Sequence, residues 1–344
     1  MKTKLLTIPL FFLAFVLALL LAACGTANEG GSSSVEANSG TVVATDEAQG
    51  TTKETSSGET ASVPKQFELP GQNIFPEGIA YDEATGDFFV SATSDGTIYR
   101  GNVEEGAETE VFLEGGQDDR TSAVGMTVDD EGRLFIAGRD TGRVFAYDTE
   151  DGQFIQSFEN DRQNSLINDA VSTPDGDVYF TDSFAPVLYR VSDEGGELAF
   201  EEYIDFEGTP VEYRDGFNLN GIVATGDGRF LITVQYNTGD LFRIDIESRE
   251  ITQIELSGTS LSTGDGLVLD EQTLYVVRNE PGDVVPVELS EDFTSGEAGE
   301  GFGGDSFQYP TTAAKYGDRL LVVNSRFGGD PNQPFIVSSV PIPE

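Results

Sequence analysis

Residues 220–258 read NGIVATGDGRFLITVQYNTGDLFRIDIESREITQIELSG, and this stretch is the unit from which most of the chain is built. Four runs rich in apolar residues, 222–224, 229–234, 240–244 and 251–256, alternate with turn residues. The turns are Gly226-Asp227-Gly228, Asn237-Thr238-Gly239 and Glu247-Ser248. Strand-length runs punctuated by Gly, Asp and Asn form antiparallel hairpins. The stretch therefore predicts one four-stranded sheet of about 40 residues, the size of a propeller blade.

The unit recurs along the chain. Its first strand is marked by Gly78-Ile79-Ala80, Gly125-Met126-Thr127, Asp169-Ala170-Val171, Gly221-Ile222-Val223, Gly266-Leu267-Val268 and Thr312-Ala313-Ala314. Successive anchors lie roughly 44 to 52 residues apart, close to the period of blade repeats. A hydrophobic second strand follows each anchor, at 88–90, 134–136, 178–180, 230–232, 274–277 and 320–323. A third is clear at 97–100, 143–147, 188–191 and 241–244. The columns predict an all-β fold, a six-bladed β-propeller of four-stranded antiparallel blades over residues 65–344.

The sixth copy runs out of chain after residues 335–340. Gln66–Leu69 is expected to supply its outer strand, because closing the ring removes an exposed sheet edge. Packing of that strand on the first blade is the alternative. The fifth copy is the least regular: residues 295–304, SGEAGEGFGG, read as loop and leave its fourth strand unassigned.

Ahead of the repeats, Lys2 and Lys4 precede an uncharged run over residues 5–23. A basic start and a short apolar core make an export signal. It ends in Leu21-Ala22-Ala23-Cys24-Gly25, which resembles the bacterial lipoprotein lipobox. That resemblance implies a signal peptide over residues 1–23, lipidation of Cys24, and a protein anchored to the cell or outer membrane, facing the periplasm or exterior. An ordinary signal peptide cut after Ala23, or an uncleaved anchor, is the alternative. Cys24 is the one cysteine of the chain, so disulfides and thiolate metal sites are excluded from the mature protein. Residues 24–64 are expected to form a disordered tether, because 28–64 are rich in Gly, Ser, Thr, Ala and Glu and nearly free of large apolar side chains.

Asp and Glu number 61 against 19 Lys and Arg, a formal charge of −42, and there is no His and no Trp. Such an excess argues against nucleic acid and anionic membrane surfaces as partners. It is spread over turns throughout the repeats and fits a surface adapted to a saline habitat; a cation-binding surface is the alternative. A monomer is expected.

The residue just before each first-strand anchor is Glu77, Val124, Asn168, Asn220, Asp265 and Thr311 in turn. In a propeller, equivalent positions ring the central axis, and first strands are innermost. Four of these six carry carboxylate or carboxamide oxygens. Hard oxygen donors with two formal negative charges suit Ca²⁺, whereas the lack of His and of a free Cys leaves a Zn²⁺ site hard to build. The alternative is that these residues cap strand ends.

Pro76-Glu77-Gly78, Ile167-Asn168-Asp169, Leu219-Asn220-Gly221 and Gly264-Asp265-Gly266 resemble the motifs of the senescence marker protein/gluconolactonase superfamily, which includes paraoxonase and diisopropyl-fluorophosphatase relatives. The resemblance spans about residues 75–329. It implies that Glu77, Asn168, Asn220 and Asp265 are ligands of a catalytic divalent ion. By the same analogy Asp265 is also the base, with Asp169, beside a ligand, a second candidate. Phosphotriesterase-type members use a histidine near the site; this chain has none, which argues against that mechanism.

Second strands return to the same mouth, and their ends carry Arg139, Gln235, Arg278 and Arg326. These are candidates for holding a polar or anionic substrate; neutralising nearby carboxylates is the alternative for each. Two function classes follow. One is a Ca²⁺-dependent hydrolase of lactones or related esters, acting on a small molecule such as a lactone or sugar acid. The other is a non-catalytic surface propeller that binds a sugar, peptide or protein around a structural Ca²⁺. Without His, Ser-His and Cys-His nucleophile pairs are excluded.

Overall fold

The computed structural model describes residues 65–193 and 195–343. The expected signal peptide, Cys24 and the expected tether lie outside the described residues. The rest folds into six sheets, one per repeat. From inner to outer strand, the first blade is Pro76–Tyr81, Asp87–Ala92, Ile98–Asn102 and Thr109–Leu113, and the second Met126–Val128, Arg133–Ala137, Arg143–Asp148 and Phe154–Glu159. The third is Ile167–Ser172, Val178–Asp182, Val187–Asp193 and Leu198–Asp205, and the fourth Leu219–Ala224, Phe230–Gln235, Leu241–Asp245 and Ile251–Gln253.

The sixth blade begins with Pro310–Tyr316, Arg319–Asn324 and Phe335–Pro341, and Gln66–Leu69 completes it. That strand pairs antiparallel with the last one, Phe67 opposite Val337 and Leu69 opposite Phe335. The alternation of Gln66-Phe67-Glu68-Leu69 explains the fit. Phe67 and Leu69 are buried while Gln66 and Glu68 face solvent.

The fifth blade corrects the sequence reading. Gly264–Asp270, Thr273–Arg278 and Asp283–Leu289 are followed by a fourth strand, Ser295–Ala298, where a loop is expected from composition. Glu255–Gly258 then adds a fifth strand, parallel to Ser295–Ala298. The run at 251–256 thus divides between two blades, with Ile251–Gln253 staying in the fourth and Glu255–Gly258 crossing to the fifth. Small residues make this packing possible: a Cβ on Gly258 would lie 2.0 Å from the Ala298 carbonyl oxygen.

The core lies between blades. Each of six buried apolar clusters is shared by two neighbouring sheets. Phe89, Ile98 and Leu113 meet Leu134, Phe145 and Tyr147 between the first and second blades. Ile79 and Phe88 of the first blade meet Phe67, Leu321, Val323 and Phe335 of the sixth. The ring is therefore closed by the same burial that joins its other blades.

Around the axis, five inner strands carry a β-bulge. The register against the second strand slips between Pro76 and Ile79, Ile167 and Ala170, Leu219 and Ile222, Gly264 and Leu267, and Pro310 and Ala313. A bulge sets two residues against one and re-aims their side chains. The first residue of each pair is the predicted column: Glu77, Asn168, Asn220, Asp265 and Thr311. The second meets a neighbouring inner strand at very short range. A Cβ on Gly221 would stand 2.2 Å from the Asp265 carbonyl oxygen, and one on Gly78 equally close to that of Val124.

Two outcomes test this architecture. Removing residues 1–64 should leave the melting temperature nearly unchanged, while removing residues 1–69 should lower it sharply or cause aggregation. Phe67→Ala alone should cost roughly 3–5 kcal/mol by denaturant unfolding; equal behaviour of the two truncations would contradict closure. Gly221→Ala should destabilise by about 1–3 kcal/mol, as overpacked sites do, whereas an Ala at the exposed, unhindered Gly226 should have little effect.

Candidate functional site

The bulges deliver their first residues to one cavity of about 230 Å³. Glu77, Val124, Asn168, Asn220 and Asp265 all line it, together with Arg139. The sixth member of the column, Thr311, is turned to the first blade, where its hydroxyl donates to the Glu77 carbonyl at 2.8 Å. The four predicted ligands are each at least nine-tenths buried.

In the third and fifth blades the residue following the second strand sits beside a column member and fixes it. The Asn168 amide donates to Ser183 Oγ at 2.8 Å, and Ser183 Oγ donates in turn to the Leu219 carbonyl at 2.7 Å. With its nitrogen committed there, Asn168 keeps its amide oxygen for the cavity. The Asn279 amide donates to Asp265 Oδ2 at 2.6 Å and to the Pro310 carbonyl at 2.6 Å. Partners of this kind orient ligating side chains.

Charge is concentrated in this small volume. Burial pushes the Asp265 carboxyl up to about 7; the Asn279 and Asn220 amides oppose that rise and Asp169 adds to it. Glu77 is raised well above the carboxylate range by burial, then by Asp265 and Asp169, with Arg139 partly offsetting them. Two like-charged carboxyls in a dry site resist joint ionisation unless a cation joins them. Among the described residues, no three of His, Cys, Asp and Glu cluster as a metal site. A bound ion would therefore use the two carboxamide oxygens along with the two carboxylates. The donor set fits a hard divalent cation, because all four side chains offer oxygen and the buried charge is negative.

Other predicted residues are placed elsewhere. Asp169 is the second residue of its bulge, so its carboxylate turns into the channel on the other side of the inner strands, among Met126, Ile222 and Leu267. There it accepts from the Ala170 amide at 2.9 Å and the Ile222 amide at 3.2 Å. It does not line the cavity with Glu77, Asn168, Asn220 and Asp265. Gln235 is 2% exposed and donates to the Glu212 carbonyl and Asn218 Oδ1. Arg278 forms a two-point pair with Asp283 at 2.8 and 2.6 Å. Arg326 bonds the Pro334 carbonyl and Gln333. Each of the three satisfies groups of its own blade and is absent from the cavity wall. Arg139, held with φ 59° at the exit of its strand, does reach the cavity.

The aromatic wall escaped the sequence reading. Phe217, Tyr236, Tyr309 and Phe327 line the cavity with Leu166 and Thr93. Burial and the adjacent Tyr309 hydroxyl hold the Tyr236 phenol above its ordinary range. A signal was present. Phe75 and Tyr309 stand two residues before the column and Phe217 three, while Phe184, Tyr236 and Phe327 come just after second strands.

Residues 75–295 match the family model described as the SMP-30/Gluconolactonase/LRE-like region. No curated protein matches the chain. Among solved structures, the major allergen Mala s 1 of Malassezia sympodialis shares the fold with a TM-score of 0.61 at 16% identity, covering 81% of this chain and 96% of its own. A gluconolactonase from Xanthomonas campestris gives 0.56 at 16%, over 78% and 87%. A calcium-binding protein, regucalcin, from Agrobacterium tumefaciens gives 0.56 at 17%, over 82% and 96%. Because the family match takes in more than half of its length, including Glu77, Asn168, Asn220 and Asp265, the chain belongs to the SMP-30/gluconolactonase/LRE-like family.

Proposed function

We propose that this protein is a Ca²⁺-dependent hydrolase of lactones or related esters, working in the cavity at the mouth of the ring. The observation that carries the reading is the delivery of Glu77, Asn168, Asn220 and Asp265, from four different blades, to one buried cavity. Family membership supports it, as do the names of the two bacterial neighbours, a gluconolactonase and a calcium-binding protein.

Glu77, Asn168, Asn220 and Asp265 would hold the ion, which when bound would supply Lewis-acid polarisation of the ester carbonyl. Asp265 is the base. Its Oδ2 is fixed by Asn279, and it takes the proton of the water that adds to the carbonyl carbon. The bond from that carbon to the ring oxygen then breaks. Asp265 returns the proton to the departing oxygen, giving a hydroxy acid. Arg139, the one cationic side chain among those lining the cavity, offers charge to the carboxylate of that product.

Calorimetric titration of the full-length protein should show binding of one Ca²⁺. Asp265→Asn should weaken that binding by roughly tenfold or more and leave hydrolysis low even at saturating Ca²⁺, since the amide cannot act as the base. Asn220→Ala should weaken binding as well, but its activity should recover in excess Ca²⁺. Absence of Ca²⁺ binding by the wild-type protein would remove both the site and the hydrolase.

The raised carboxyl adds a pH signature. In the metal-free protein Asp265 titrates near 7, against 3.8 for a free aspartate. Between those values the folded chain binds more protons than the unfolded chain, so this group's contribution to stability falls as pH rises from about 4 to about 7. A cation favours the ionised form, so its stabilising effect grows over the same interval. The Ca²⁺-induced rise in Tm should therefore be larger at about pH 8 than at about pH 5, and Asp265→Asn should shrink the difference. Equal shifts in the wild-type protein would contradict the assignment.

A further inference from the structure

The cavity is walled by aromatic rings that the hydrolytic steps do not use. Phe217 packs on Phe184 with centroids 5.3 Å apart and on Tyr236 at 5.8 Å. Phe327 packs on Tyr309 at 5.8 Å and stacks on Phe75 at 6.1 Å. Phe217 and Phe327 are each 41% exposed, although both line the cavity. Two phenyl rings left in water at one opening form an apolar surface without a folding role, the kind that marks a binding site.

Several polar groups nearby are already engaged. The Asn168 nitrogen is bonded to Ser183, the Asn279 nitrogen to Asp265 and Pro310, and the Thr93 hydroxyl to the Phe75 carbonyl. Val124 and Leu166 extend the apolar wall. A ring bearing several hydroxyls would lose their water on entering and find few partners outside the four site residues, Arg139 and the Tyr236 and Tyr309 hydroxyls at the rim. Polar groups buried without partners are strongly disfavoured, whereas apolar substituents gain from such a wall.

The geometry points to lactones carrying an apolar, flat substituent as the substrates of this site, in place of polyhydroxylated sugar-acid lactones, with Phe217 and Phe327 setting the preference. This inference rests on the lactonase reading. The carbonyl is directed to Glu77, Asn168, Asn220 and Asp265, and the substituent lies against the phenyl rings.

The test compares kcat/KM of the full-length protein for a phenyl-substituted δ-lactone and for gluconolactone in Ca²⁺. The phenyl lactone should be favoured by roughly tenfold or more, the scale of discrimination that apolar contacts supply. The double substitution Phe217→Ser and Phe327→Ser should reduce that ratio toward one, with an unchanged melting temperature showing that the fold is kept; if the double variant does not fold, Phe327→Ser alone serves. A preference for gluconolactone, or a preference for the phenyl lactone that survives the substitutions, overturns the inference and leaves lactone hydrolysis standing. If neither lactone is hydrolysed, the lactonase reading falls. Calorimetry with the corresponding lactams, which resist hydrolysis, then decides: tighter binding of the phenyl lactam upholds the apolar specificity of the mouth, and equal, reversed or absent binding overturns it.

Discussion

The close approach of inner strands at the axis is the contact on which the rest of the molecule depends. Where a bulge sets Gly78 against Val124, or Gly221 against Asp265, there is no room for a side chain. This proximity brings the first residues of the bulges into one cavity of about 230 Å³. Site and scaffold are therefore not separable. The residue that provides an oxygen donor and the glycine that allows the neighbouring strand to come near are consecutive in the chain.

The same constraint explains the electrostatics. Carboxyls brought together by blade packing cannot avoid each other, and burial removes the water that would screen them. The raised pKa values of Asp265 and Glu77 follow from where the backbone ends, with the Ser183 and Asn279 hydrogen bonds setting the orientation of the side chains beside them. An oxygen-rich cation site is what such an arrangement can stabilise.

Much of this was legible from residue order. The turn and strand periodicity fixed six blades, and the column before each anchor named the cavity residues, because a repeat turns equal sequence positions into equal spatial ones. The limits have the same origin. Asp169 shares the anchor column with glycines, so periodicity placed it at the axis but could not show which side of the inner strands its carboxylate would face. Gln235, Arg278 and Arg326 share a strand-end position with Arg139, yet local partners such as Asp283 and Gln333 capture two of them, and the Glu212 carbonyl with Asn218 Oδ1 holds the third. Ser295–Ala298 has little strand character of its own and becomes a strand through backbone pairing on both sides, which no side-chain pattern records. The aromatic wall was scattered over loops, and only the ring geometry gathers it.

The N-terminal closing strand also shapes how the domain can be made. Among the described residues Gln66–Leu69 is the first strand in chain order, and its partner Phe335–Pro341 is the last. Until the chain is complete, Phe67 and Leu69 have no partner strand, and the sixth blade lacks its outer edge. Loop closure over nearly the whole domain is entropically slow relative to the local hairpins. Topology therefore favours blades that form locally first, with the pairing of the two distant strands the most entropically costly contact of the ring.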